Sequence, residues 1–525
     1  VTRCKHFQLD GGYNNCHSDV ENPCMLHFSK FLILVLTVML AGACATLEPQ
    51  RDRSKEQALD PAPLESWPGL APFADENRLV PLNRGGLALD WRLRALRSAT
   101  RSIDLQTFIW KGDSVGLAVL REIVAAAERG VRIRVLLDDS FLVHADDALR
   151  ALSQHENISY RIYNPAAQRD GGMVMRQIEN LNDFERINHR MHNKLLVVDG
   201  RVAIMGGRNQ ANEYFGYESQ HNFRDFELVL AGPFVTHLSD VFDLYWNNPW
   251  SLPVEDLPGS EDHWDFSSIK RWLAEQGKKH GKLADPEKDD WAVFFSLGYP
   301  AGINLLVDTP PDERPELDTP VQLADELVRR MDQVERDMIL VSAYFIPTEQ
   351  LTAAIERAVQ RGVRVRIFTN SLGANNHVSA HAAYAAHRPA LLRAGAEIYE
   401  LRPDAVSRGY YLDPTVVDAR LGLHEKGALF DDCCLFVGSA NLDPRSLRLN
   451  TEIGLLIDSP GLNSRIRQML ATDLLPPNAW KVELDQAGEL VWIGPEGEQR
   501  HTPPASFYLR MESWFFGLLP IEGQM

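Results

Sequence analysis

Residues 191–209 read "MHNKLLVVDGRVAIMGGRN", and residues 423–441 read "LHEKGALFDDCCLFVGSAN". In the first stretch His192, Lys194 and Asp199 form the spacing HxKxxxxD, and Gly206, Gly207 and Asn209 follow as a Gly-Gly-x-Asn turn. In the second, His424, Lys426 and Asp431 repeat the spacing, and Gly438, Ser439 and Asn441 repeat the turn. One such pattern could arise by chance. Two copies, each with its turn in the same place, read as two halves of one site.

The flanking sequence supports a duplication. "VGLAVLREIVAAAERG" (115–130) places Leu117, Leu120, Val124 and Ala127 on one helical face and stops at glycine, and "VRIRVLLDD" (131–139) follows as a strand. "LTAAIERAVQRG" (351–362) repeats that helix with Leu351, Ile355 and Ala358, and "VRVRIFTNS" (363–371) repeats the strand. Gly130 and Gly362 lie 232 positions apart, as do His192 and His424. Strands alternating with helices predict mixed or mostly parallel sheets covered on both faces.

On an extended chain residues two apart face the same side, so His192 and Lys194 point together, as do His424 and Lys426. The glycine turns bring backbone N–H groups and the Asn209 and Asn441 amides towards an anion. Two histidines, two lysines and two asparagines converging in a cleft describe a phosphate site. Lysine and asparagine hold the non-bridging oxygens, one imidazole attacks phosphorus and the other protonates the leaving oxygen. That chemistry requires no metal and no cofactor, and no carboxylate cluster reads as a metal cage.

The chain has 525 residues, 45% hydrophobic and 24% charged, a soluble globular composition long enough for two domains. A net charge of −18 disfavours a sequence-independent nucleic-acid binder, which needs a positive field against phosphates. "KFLILVLTVMLAGAC" (30–44) is too short for a comfortable membrane span and fits a signal-peptide core ending in a lipoprotein-type cysteine, with Cys44 the acylated residue. Translation is expected to start at Met25, making residues 1–24 an artefact of the assigned start. Of six cysteines, Cys433 and Cys434 are expected to be buried thiols, and no zinc spacing exists. Residues 45–75 read as a polar tether, and 251–320 as a connector that includes a basic helical piece at 269–282. The apolar stretch 506–520 is expected to dock on the core. His377, His381 and Tyr384 share a helical face, read as a polar one.

The duplicated motif resembles the signature of the phospholipase D superfamily. "NEYFG" (212–216), "FRDFELVLAGP" (223–233), "YWNNP" (245–249), "VGSANLDPRSLRLNTEIGLLI" (437–457) and "LLPIEGQ" (518–524) are similar to its bacterial cardiolipin synthase branch, in particular the C-type. The resemblance implies two α/β/α sandwich domains with mixed sheets, related by a pseudo-twofold, with the active site at their interface. The domains are expected at 76–250 and 321–460, before a C-terminal tail at 461–525. It also implies ping-pong phosphatidyl transfer, with His192 as nucleophile and His424 as general acid and then base. Lys194, Lys426, Asn209, Asn441, Ser439 and the Gly207 turn would bind phosphate. A carboxylate on a later strand would orient each histidine, Glu452 in the second half and Asp225 or Glu227 in the first, while Asp199 and Asp431 brace the motifs.

The implied reaction makes cardiolipin from phosphatidylglycerol and a second phospholipid, phosphatidylethanolamine being one candidate, at a membrane surface and without nucleic acid. An accessory protein is compatible with it. Hydrolysis of head groups by the same residues is the alternative, ahead of a nuclease or an inactive lipid-binding scaffold. The implied location is the bacterial cell envelope, anchored and facing the periplasm, at the outer membrane if Cys44 is lipidated and otherwise at the inner membrane. Gly207 stands where the superfamily usually has serine, Asn212 where relatives carry aspartate, and Glu227 where aspartate is common.

Overall fold

The computed structural model describes residues 47–142, 145–169, 180, 183–258, 264–279, 290–311, 322–503 and 506–517. The signal segment, Cys44, residues 1–24 and the "LLPIEGQ" stretch lie outside the described residues.

Two large mixed sheets form the molecule. The nine-stranded sheet runs Tyr299–Pro300, Arg78–Leu82, Glu227–Ala231, Val202–Gly206, Leu195–Val198, Ser102–Thr107, Arg132–Asp138, Ile158–Tyr163, Ser251–Pro253. In the ten-stranded sheet, Gly302–Val307, Ile453–Asp458, Cys434–Gly438, Lys426–Phe430, Asp337–Ser342, Arg364–Asn370 and Glu397–Leu401 occupy the equivalent places in the same order. In both, the three strands joined through helices are parallel and the motif hairpin is antiparallel. The duplication read from the spacing is thus a duplication of topology.

The connecting helices form where the apolar periodicity placed them. Helix Ser114–Glu128 starts at Asp113, whose side chain accepts from Gly116 N, and the chain leaves it through Gly130 at φ +89°. Helix Glu349–Gln360 starts at Thr348, which accepts from Leu351 N, and leaves through Gly362 at φ +86°. A left-handed residue after a helix suits glycine, which has no Cβ to clash. Each half has its own apolar core, and a further buried cluster draws on both, including Leu195, Met205 and Leu228 from the first half and Leu429, Leu435 and Leu455 from the second.

Several expectations are corrected. The part of the tether from residue 47 onward packs on the first half: Trp67, Leu70 and Ala62 are buried, and Gln50 N donates to Pro249 O. A polar, proline-bearing composition hid three well-spaced anchors. Residues 299–307, read as connector, add strands to both sheets. Residues read as a tail supply helix Pro460–Asp473, with Leu462, Ile466 and Leu470 buried, and three further strands of the second sheet. Cys433 and Cys434 form a disulfide rather than two buried thiols, because Cys433 lies in the exposed hairpin turn and only Cys434 has entered the strand. In helix Val378–Ala394, His381 and Tyr384 face the interior, with the Tyr384 hydroxyl donating to Glu400, so the polar-face reading does not hold. Helix Phe507–Phe516 packs against helix Val378–Ala394 and leaves Tyr508, Met511, Trp514 and Phe515 exposed. Among the described residues no helix is long and apolar enough to cross a membrane.

Candidate active site

Each histidine stands just ahead of a strand of its own half, but its backbone is fastened to the other half. His192 N donates to Thr451 O at 2.9 Å, and Thr451 N donates to Arg190 O at 2.8 Å. Across the pseudo-twofold, strand Arg420–Leu423 runs parallel to His221–Arg224, and His424 N donates to Arg224 O at 2.8 Å. Thr451 and Arg224 each immediately precede a carboxylate.

The carboxylates therefore cross over. Nδ1 of His192 lies 3.0 Å from both oxygens of Glu452, and Nδ1 of His424 lies 2.7 Å from Asp225 Oδ2. The expected carboxylates Glu452 and Asp225 are both at the site, each serving the histidine of the opposite half. Glu227 is not: it binds Arg92 at 2.7 Å, because Asp225 lies in the two-residue break between strands His221–Arg224 and Glu227–Ala231, where the regular alternation is interrupted and the two acids no longer share a face. With Nδ1–H given to a carboxylate, Nε2 of each ring is left to react.

The turns support these carboxylates more than they face a ligand. The Ser439 hydroxyl donates to Glu452 Oε2 at 2.5 Å and accepts from Ile453 N, so it is committed to the carboxylate rather than to phosphate. At Gly207 a Cβ would lie 2.1 Å from Asp225 Oδ1, so the missing side chain makes room for that carboxylate. This explains glycine where serine is usual. Arg208, fully buried, donates to Asp225 O and to Leu82 O and Tyr214 O, which fixes the segment from below.

Lys194 and Lys426 are buried, and each Nζ donates to the carbonyl of its own histidine, the pair expected from two-residue spacing. Burial brings Lys194 down to about 7 against the pull of Glu452, and Lys426 down to about 8 against Asp225. Burial likewise lowers His192 to about 4 and His424 to about 3, so both rings are neutral at neutral pH in the empty site. Burial alone would raise Asp225, but His424 and Lys426 bring it to about 2. Asn209 Oδ1 accepts from Ile109 N at 3.0 Å, and its side chain also interacts with the buried Tyr214 hydroxyl. Asn441 is buried on the cavity wall.

Asp199 and Asp431 sit away from the reacting groups, at φ +56° and +44° in the hairpin turns. Asp199 accepts from Thr100 N, Arg101 N, Ser102 N and Trp67 Nε1, all within 2.9 Å. Asp431 accepts from Glu335 N, Arg336 N and Asp337 N. Each pins its hairpin to the start of the neighbouring strand.

A cavity of about 430 Å³ opens beside His192, lined by Phe108, which lies edge-on to the His192 ring, by Ile187 and by the exposed Phe141 and Phe184, with Arg190, Asp443 and Arg445 among its polar lining residues. His377 reaches it, while His381 does not. His189 ties the halves together through Leu449 O at 2.8 Å. The spacing arguments missed Arg190, Asp443 and Arg445, although "DPRS" directly follows the second turn, and they missed Asp308, whose carboxylate accepts from Glu452 N.

Two stretches of the chain, 93–246 and 327–474, match the family described as "Cardiolipin synthase, PLD-like domain". Cardiolipin synthase C of Escherichia coli (strain K12) is 33% identical over 456 residues, which span 85% of this chain and 95% of the relative. Cardiolipin synthase B of Shigella flexneri is 26% identical over 419 residues, spanning 78% and 86%. The fold is similar to the crystal structure of phosphatidylserine synthase from Haemophilus influenzae Rd KW20, at a TM-score of 0.55 and 14% identity, covering 88% of this chain and all of that one.

Proposed function

The chain belongs to the cardiolipin synthase family of phospholipase D-like enzymes and is a phosphatidyltransferase, and on that premise we propose that it joins phosphatidylglycerol to a second phospholipid through a phosphohistidine formed on His192. The crossed carboxylates carry this reading. Glu452 holds His192 with Nδ1 protonated, which makes Nε2 the nucleophile. Asp225 does the same for His424 and stabilises its charge once it takes up a proton.

In the first half-reaction His192 Nε2 attacks the donor phosphorus. The N–P bond forms as the P–O bond to the head-group alcohol breaks, and His424 delivers its proton to the leaving oxygen. In the second, the acceptor hydroxyl gives its proton to His424 while its oxygen attacks phosphorus and the N–P bond breaks. The neutral ring expected of His424 in the empty site becomes easier to protonate once an anionic diester occupies the cleft. Lys194 and Lys426 stabilise the charge on the equatorial oxygens, with Asn209 and Asn441 as the hydrogen-bonding side chains of the turns. His192 takes the nucleophilic role because it lines the cavity with Phe108, Phe141 and Phe184, through which a lipid would reach it.

The exposed Phe141 and Phe184 at the cavity mouth and the apolar face of helix Phe507–Phe516 support work at a membrane surface. An envelope location facing the periplasm, and Cys44 as a lipid anchor, belong to the same proposal. The test is rapid quenching of the full-length protein with phosphatidylglycerol, followed by peptide mass spectrometry. A phosphatidyl adduct on His192 trapped during turnover of the wild type and absent from His192→Ala supports the assignment. An adduct on His424 reverses it. Cardiolipin among the products separates transfer from the hydrolytic alternative, which yields phosphatidic acid.

A further inference from the structure

Hydrolysis uses water, which brings no charge into the site. Transfer to a second phospholipid brings a second phosphate, one head-group length from the phosphorus under attack. The protein must therefore hold two anions in one cavity. The histidines and lysines account for the first of them.

The wall of the cavity beyond His192 carries two guanidinium groups from opposite halves. Arg190 precedes the first motif; its Nη1 donates to Asn164 O at 3.0 Å and it lies 3.8 Å from Asp138. Arg445 follows the second turn and donates to Asn188 Oδ1 at 2.9 Å. Both side chains are largely withdrawn from solvent, and Arg445 is lowered by burial, with Asp443 opposing that effect and Arg190 adding to it. Each has a carboxylate nearby, Asp138 for Arg190 and Asp443 for Arg445, and a phosphodiester entering the cavity that both line would meet both guanidinium groups. Asp139, on the same wall, is already engaged by Arg169. Asp443 interacts electrostatically with Lys426 and Glu452 on the catalytic side and with Arg445 on the other, and it accepts from Ser446 N at 2.7 Å.

We propose that Arg190 and Arg445 form a second anion subsite, which takes the phosphodiester of the acceptor phospholipid, while Asp443 receives the hydroxyl of its head group. The ligand class is a phospholipid whose head group carries a free hydroxyl. The inference rests on the phosphatidyltransferase reading and adds where the acceptor lies: its phosphate straddles the seam between the halves, and its acyl chains leave past Phe141 and Phe184.

The test uses the full-length enzyme in mixed micelles of phosphatidylglycerol with ethanol as a neutral competing acceptor, and reads cardiolipin against phosphatidylethanol by mass spectrometry. Arg190→Gln and Arg445→Gln are expected to lower cardiolipin at least about tenfold relative to phosphatidylethanol, through a raised KM for the lipid acceptor, with Arg190→Lys and Arg445→Lys recovering part of it. Glycerol phosphate should inhibit phosphatidylethanol formation by the wild type and lose potency in the Gln variants. An unaltered product ratio, or equal loss of both products in the Gln and the Lys variants, overturns the subsite. If the wild type makes phosphatidylethanol but no cardiolipin, the lipid-acceptor reading fails. In that case the subsite stands or falls on arginine-dependent inhibition by glycerol phosphate.

Discussion

Glu452 of the second half accepts the Nδ1 hydrogen bond of His192 in the first, with both carboxylate oxygens at 3.0 Å from the ring. Neither half contains a complete histidine–carboxylate pair. Replacing Glu452 with Gln preserves shape while removing the charge that fixes the tautomer. The expected loss in kcat is about 10²- to 10⁴-fold, with little change in KM, read by steady-state cardiolipin formation. Asp225→Asn should fall in the same range. A loss of only a few-fold in either would mean that the ring is held by something else.

Gly207 is small because Asp225 occupies the space its side chain would need. Gly207→Ala places a Cβ where Oδ1 now stands, 2.1 Å away, and the carboxylate must leave His424. Activity is expected to drop about 10²-fold or more. Ser439→Ala removes a hydroxyl from Glu452 without displacing it, so about tenfold is expected. Measuring both variants in parallel separates crowding from a lost hydrogen bond.

Asp199 is a structural residue despite its place in the motif. Asp199→Ala leaves backbone donors at residues 100–102 and the Trp67 indole unmatched, a cost of about 3–5 kcal/mol. Asp431, half exposed with three backbone donors, should cost about 1–2 kcal/mol when replaced by Ala. Urea unfolding should rank them in that order, and the fraction that remains folded should keep its kcat.

The two lysines lose charge early. With Lys194 at about 7 and Lys426 at about 8 in the empty site, both are cations below those values and become neutral as pH rises through them. Sulfate, a phosphate mimic that does not titrate in this range, should bind progressively more weakly from about pH 7 to 9. Calorimetric titration of the wild type checks this. Lys194→Met should bind sulfate weakly throughout, with a shallower pH dependence.

What the sequence made legible is local. A two-residue step along an extended chain puts His192 beside Lys194 and His424 beside Lys426. A helical period followed by glycine locates both connecting helices, and equal separation of paired landmarks reveals the duplication. Those relationships depend only on backbone geometry, which a short window contains. Trp67 was unreadable because its partner, Asp199, is 132 residues away. Glu227 and Asp225 were indistinguishable as candidates, since acids two residues apart share a face in a continuous strand, and only the break at residues 225–226 turns Asp225 towards His424 and leaves Glu227 with Arg92.

The sequence by itself determined the chemistry: two histidines, two lysines and the turns that follow them, twice over. Tertiary structure alone decided who serves whom. Arg420–Leu423 pairs with His221–Arg224, and Met191 bridges to Thr451, so each motif lies against the segment that carries the other half's carboxylate. Pairing across a pseudo-twofold is a contact between residues about two hundred or more positions apart. No periodicity within either copy encodes it, because a side chain's partner across an interface is fixed by how two finished sheets pack.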